Sequence, residues 1–151
     1  MARPTEKDYR ALAEFRYRVR QFLRASEKAA RSTGLEPEQY QLLLAVHGMP
    51  NGREATMREL AERLCVRHNT AVERVDRLAR LGFVRRARSH TDARAVLIHL
   101  TARGARLVER LATKHLVELC QSGPALIRAL AGVIAATRHP RRNIGHPRSK
   151  K

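Results

Sequence analysis

Apolar residues change their spacing along the chain, and the changes mark out its elements. In residues 5–31, Tyr9, Leu12, Phe15 or Arg16, Val19, Phe22 and Leu23 recur at steps of three and four, which predicts an amphipathic helix. Thr5 is placed to cap it and Gly34 to stop it. Pro37 suits the first turn of a second helix, about 36–47, carrying Leu42, Leu43, Leu44 and Val46. The stretch 48–52, Gly-Met-Pro-Asn-Gly, reads as a loop.

A third helix is predicted from Thr56. The spacing Thr56-Met57-Arg58-Glu59 is that of a capping box, in which the hydroxyl accepts from the N3 amide and the carboxylate reaches back. Leu60, Ala61 and Leu64 form its inner face. A fourth helix follows within a few residues, near 68–81, with Ala71, Val75 and Leu78 inward and Gly82 as its stop. The period then falls to two. Residues 83–88 and 96–100 read as strands, joined by the polar stretch Ser89–Ala95, which is too long for a tight turn and so protrudes. Thr101 caps a fifth helix to about residue 121. Gly123-Pro124 is expected to break it, and a sixth helix to cover about 125–137. The fold class is mostly α with a small β-wing. It is a winged helix-turn-helix region with long N- and C-terminal helices, both longer than a small winged domain needs. Their apolar stripes call for a partner to cover them.

The 151 residues suit one domain of ordinary size. No unbroken apolar run of 18 residues occurs, so no membrane span is expected. The first twenty residues mix charge with apolar positions, which argues against a secretory leader and for a cytoplasmic, nucleoid-associated protein. Charge changes the picture more. There are 31 Lys and Arg against 14 Asp and Glu, a formal net charge of +17. Residues 138–151 hold six of the basic side chains and no acid, and that tail is expected to be disordered. Without it the body still carries 25 basic residues against 14 acidic, the balance of a protein that meets a polyanion. Arg outnumbers Lys by 26 to 5, and Arg is the better fork for phosphates and base edges.

Two short helices, a tight turn and a hairpin make a unit whose second helix enters the major groove and whose leading residues reach base edges. Those residues are Arg67, His68, Asn69 and Thr70. At about 100° per residue, Asn69, Glu73, Asp76, Arg77 and Arg80 face outward, with Val72 and Arg74 on the flanks. Arg67 can fork onto guanine, Asn69 can pair with adenine, and Glu73 can accept from cytosine. Arg77 and Arg80 suit phosphates. The competing reading is a solvated face held by Glu73–Arg77 and Asp76–Arg80 pairs. At the wing, Arg94 is placed to enter the minor groove with Asp92 steadying it, and Arg85, Arg86 and Arg88 flank the hairpin.

Other chemistry finds less support. Cys65 and Cys120 lie in helix-like segments and read as small buried residues. Cys65-x-x-His68 has ligand spacing but no second pair, and His47 could meet His115 only in three dimensions, so no metal is expected. The phosphate loops, nucleophile elbows and zinc-hydrolase patterns of enzymes are missing, and no cofactor is expected.

The string Met57-Arg58-Glu59-Leu60-Ala61-Glu62-Arg63-Leu64, Thr70 through Leu78 with Asp76-Arg77-Leu78, Gly82-Phe83-Val84, Asp92-Ala93-Arg94 and Leu100-Thr101 resembles the MarR family of bacterial transcription regulators. The likeness covers about residues 35–112. It implies a homodimer binding double-stranded DNA at a pseudo-palindromic site. Residues 1–34 would be an N-terminal dimerisation helix, 35–101 the DNA-binding region, 102–137 the C-terminal dimerisation helices, and 138–151 the basic tail. It also implies a cleft for a small anionic or phenolic effector, with Tyr9, Arg16, Tyr40 and His47 as candidate lining and ordinary packing as the alternative. Many members carry a small hydroxyl residue near Arg67, so here the cap must come from Asn69 or be absent. A sequence-specific repressor is the leading reading. A non-specific architectural DNA binder is the second, and an enzyme the third.

Overall fold

A computed structural model of the chain describes residues 3–50, 53–89 and 95–138. Among them the elements run α1 (Glu6–Arg31), α2 (Pro37–His47), α3 (Met57–Arg63), α4 (His68–Arg80), β1 (Val84–Arg88), β2 (Val96–Leu100) and α5 (Ala102–Arg138).

Local chemistry sets the ends of these helices. The Thr5 hydroxyl accepts from the Asp8 amide at 3.3 Å, and the Asp8 carboxylate accepts from the Thr5 amide at 2.6 Å. At α2 the Gln39 side-chain oxygen accepts from the Glu36 amide at 3.0 Å, and Pro37 fills the first turn, where no donor is needed. Half of the box expected at α3 forms. The Thr56 hydroxyl accepts from the Glu59 amide at 3.2 Å, but the Thr56 amide donates to the Glu54 carbonyl at 2.8 Å. Glu59 turns instead to the Arg53 guanidinium, 3.4 Å away, because a cation is a stronger partner than an amide already satisfied.

The turn from α3 into α4 is a Schellman motif. Val66 donates to the Ala61 carbonyl and Cys65 to the Glu62 carbonyl, both at 3.0 Å, with Cys65 at φ +51°. Cys65 is therefore not a buried helical residue. It occupies the left-handed position usually given to glycine, and both it and Cys120 are exposed. The end of α4 repeats the motif with Gly82 at φ +73°.

One expectation about helix number fails. α5 runs unbroken for 37 residues with Pro124 inside it, so there is no separate sixth helix. A proline removes one helical donor and kinks a helix without having to end it. The Ala- and Leu-rich run after it is a strong enough helix former to resume.

The described residues fall into two compact units, one within residues 23–119 and one made of residues 3–22 with 120–138. The larger unit holds the core. Leu42 and Leu43 of α2, Leu60 of α3, Ala71, Val75 and Leu78 of α4, Ile98 of β2, and Val108 and Leu111 of α5 are all buried, each large side chain contributing roughly 1.5–3 kcal/mol. The strands pair antiparallel, with Val84 opposite Leu100 and Arg86 opposite Ile98. The free edge of β2 is tied to the start of α3, where the Ile98 amide donates to the Ala55 carbonyl at 2.9 Å.

The smaller unit comprises the N-terminal part of α1 and the C-terminal part of α5 and leaves apolar groups in solvent. Tyr9, Leu12 and Tyr17 of α1 are exposed there, as are Ile127, Leu130 and Ile134 of α5. α5 also contains an 18-residue window of mean hydropathy 1.4, none of it buried, long and apolar enough by length and composition to cross a membrane. The sequence expectation missed it because charged and polar residues such as Arg128 interrupt the run without lowering its average below that mark.

Candidate nucleic-acid interface

α4 presents two opposed faces. Ala71, Val75 and Leu78 are completely buried, while Asn69, Glu73, Arg77 and Arg80 are exposed and Val72 and Arg74 lie half-buried between them. The division expected from the wheel is observed except at Asp76, which is half-buried beside Arg86. Core contacts on one side fix the rotation of the helix, so the outward residues are presented on a rigid rod.

The leading end of α4 is open. Arg67 is the N-cap, with extended backbone and no side-chain hydrogen bond to the helix. No acidic residue lies in the first turn, so the positive end of the helix dipole is uncompensated there. Arg67, His68 and Asn69 are exposed and Thr70 is half-buried. Together they place a fork donor, an imidazole and an amide at the tip.

Beside this helix lies an open groove of about 640 Å³, lined by Thr56, Met57 and Arg58 of the α3 segment, His68 and Val72 of α4, and Arg86, Ala95 and Val96 of the wing. Arg58 was not singled out from the sequence. Its place as the second residue of a helix that starts beside the recognition turn was the available signal.

Sequence reading also missed a brace. Arg86 of β1 pairs with Asp76 of α4 at 2.7 Å, both side chains partly exposed. Among the described residues neither Glu73–Arg77 nor Asp76–Arg80 forms an ion pair, so the salt-bridged solvated face expected as the alternative is not built. Arg88 is exposed at the end of β1. Asp92 and Arg94 lie outside the described residues, as do His90 and the tail 139–151.

The four candidate effector residues fall in different settings. Tyr40 is buried, and its hydroxyl lies 3.0 Å from His115 Nδ1, with the two rings edge to face. Burial pushes the Tyr40 phenol above its ordinary pKa. Tyr40 also borders a small cavity of about 140 Å³ with Leu23, Ser26, Ala30 and Pro37. His47 ends α2, is exposed, and lines another cavity of about 310 Å³ with Met49, Arg53 and His99. Tyr9 and Arg16 are exposed on α1. His115 is engaged by Tyr40 rather than by His47. Among the described residues no three His, Cys, Asp or Glu side chains gather at metal-binding distance.

A family model described as the MarR family matches residues 33–95, the segment that contains α2, α3, α4 and the strand β1. Over that segment the chain is similar to the MarR family. The chain also shares its fold with solved regulators. AbsC, a MarR family transcriptional regulator from Streptomyces coelicolor, superposes with a TM-score of 0.72 at 19% identity, covering 91% of this chain and 94% of AbsC. Sco3205 from the same organism, solved in complex with DNA, gives 0.69 at 20% identity over 93% of this chain and 92% of its own. A single-residue mutant of MepR from Staphylococcus aureus, bound to an oligodeoxyribonucleotide, gives 0.61 at 19% identity over 82% of this chain and 95% of its own. No curated protein matches the chain by sequence.

Proposed function

We propose that the chain is a dimeric, sequence-specific repressor that reads a pseudo-palindromic operator with α4 and grips the flanking backbone with its wing. The observation that carries this reading is the locked rotation of α4, three core residues inward and Asn69, Glu73 and Arg77 free outward. Arg67 and Asn69 reach base edges, His68 and Thr70 lie at the groove entrance, and Arg77 contacts phosphate. Arg86 and Arg88 supply backbone contacts at the root of the wing, and Asp92 and Arg94 act at its tip. DNA-bound relatives of the same fold support this assignment.

The twin copy is supported by the apolar groups on α1 and α5. Tyr9, Leu12, Ile127, Leu130 and Ile134 would lie in solvent in a lone protomer, at a cost of about 25 cal/mol for each Å² left wet. Twofold symmetry then spaces the two α4 helices about 34 Å apart, one turn of DNA. Such a regulator acts in the cytoplasm, at the nucleoid. An effector that shifts the dimer would be anionic or phenolic, as the family resemblance implies.

Selection of binding sequences from a random duplex pool by the purified chain tests the reading. An enriched inverted repeat is expected. Uniform recovery of all sequences would favour the architectural alternative, for which the high net charge speaks.

A further inference from the structure

The first turns of α5 carry an unusual row of charge. Arg103, Arg106, Arg110 and Lys114 recur at three- and four-residue steps, fall on one side of the helix at about 100° per residue, and are all exposed. Like charges at these steps repel one another, and an ordinary solvated helix face relieves this with acids at the same steps. Here, among the described residues, none of the four has an acidic partner at ion-pair distance, although Glu109 lies beside them. The row also begins at the positive end of the helix dipole. The first turns of α1, α2 and α3 carry acids, but those of α4 and α5 carry none.

The row is held still. On the adjoining side of α5, Leu107, Val108 and Leu111 are buried in the core and fix the rotation of the helix. Arg103 is pinned at its base, where its guanidinium donates to the Leu81 carbonyl at 3.2 Å and stacks over the Phe83 ring at 4.7 Å. Leu81 is the C-cap of α4, so the row starts where the recognition helix ends. Arg103, Arg106 and Arg110 border a shallow groove of about 310 Å³ with Leu107 and Glu109.

We propose that Arg103, Arg106, Arg110 and Lys114 form a second phosphate-binding surface, which takes the backbone of the same duplex outside the segment read by α4. From Arg103 to Lys114 the row is about 16 Å long, at 1.5 Å per residue. Duplex phosphates lie about 3.4 Å apart along the axis on each strand, so the row spans several of them. Its role is affinity and orientation without base reading. Arg106, Arg110 and Lys114 are the variable part, because Arg103 also supports the packing between α4 and α5.

This inference rests on the DNA reading above and is tested so that the two can fail separately. The full chain and its Arg106→Ala/Arg110→Ala/Lys114→Gln variant are titrated at several salt concentrations. One duplex is trimmed to the selected site and another carries about ten further base pairs on each side. On the long duplex the variant is expected to bind at least tenfold more weakly. The slope of its log affinity against log salt should be smaller by about 2 to 3, near 0.9 for each lost phosphate contact. On the trimmed duplex the two proteins should bind alike, and sequence preference should not change. An Arg106→Glu/Arg110→Glu variant should lose more on the long duplex at unchanged thermal stability. Equal affinity and slope on both duplexes would overturn the inference alone. So would a row whose effect is abolished by millimolar inorganic phosphate on both duplexes alike, which would make it a site for a free anion. A wild-type chain that binds no duplex would overturn the DNA reading itself.

Discussion

Asp76 of α4 and Arg86 of the wing meet at 2.7 Å, and this contact joins the two parts proposed to address DNA. Both side chains are partly exposed, so the pair adds little to stability, about 0–1 kcal/mol. Its consequence is geometric, because Arg86 is aimed along α4 before any duplex arrives. A double-mutant cycle with Asp76→Ala and Arg86→Ala should give a coupling of less than about 1 kcal/mol in denaturant unfolding. In DNA titrations, Arg86→Ala should lower the salt slope by about 1, whereas Asp76→Ala should leave the slope unchanged. An unchanged slope for Arg86→Ala would remove Arg86 from the phosphate contacts.

Gly104 and Cys65 show opposite backbone needs. A Cβ at Gly104 would press into the Phe83 carbonyl, whose oxygen also accepts from the Thr101 amide at 3.0 Å. Gly104→Ala should destabilise the chain by about 1–3 kcal/mol, although alanine is the better helix former by about 1 kcal/mol. Cys65 sits at φ +51°, where glycine is at ease. Cys65→Gly should stabilise by roughly 0.5–1 kcal/mol. Thermal unfolding of the two variants checks both signs.

Tyr40 links stability to pH. Its buried phenol holds its proton above the ordinary pKa, while the unfolded chain releases it near 10. The unfolded state therefore binds fewer protons than the folded one above that pH. The Tyr40 contribution is fully present below pH 10 and is lost as pH rises further. Tyr40→Phe also leaves His115 Nδ1 without its partner, and His115 Nε2 already has none among the described residues. The variant should be about 1–3 kcal/mol less stable at neutral pH and should show a flatter alkaline decline. A wild-type stability profile that stays level from pH 9.5 to 11 would contradict this.

The proposed dimer places Ile127 and Leu130 against a twin. Ile127→Asp/Leu130→Asp should leave residues 23–119 folded and shift sedimentation at micromolar concentration from dimer to monomer. Wild-type and variant sedimenting alike would refute that face as the interface.

Much of this was legible in the sequence because it follows from local pattern. The inward positions Ala71, Val75 and Leu78, the stops at Gly34 and Gly82, and the two strands all come from periodicity and turn chemistry. The elements that escaped depend on competition or distance. Whether Pro124 ends a helix depends on the strength of the run beyond it. Whether Glu59 completes its capping box depends on Arg53, six residues away and outside the helix. The competing reading pairs Asp76 with Arg80 four residues on, but its partner is Arg86 across the fold. A left-handed Cys65 was hidden because sequence rules reserve that position for glycine. The Tyr40–His115 contact joins residues 75 apart in the chain, beyond any local pattern.

The central claim is that the tip of α4 reads bases. Affinities of the wild-type chain and its Arg67→Ala and Asn69→Ala variants, measured at fixed salt on the selected site and every single base-pair change within it, address this most directly. Each variant is predicted to lose about 1–3 kcal/mol of discrimination at one base step and to keep the wild-type ranking at the others. A uniform weakening across all sequences, with discrimination intact at every step, would contradict it.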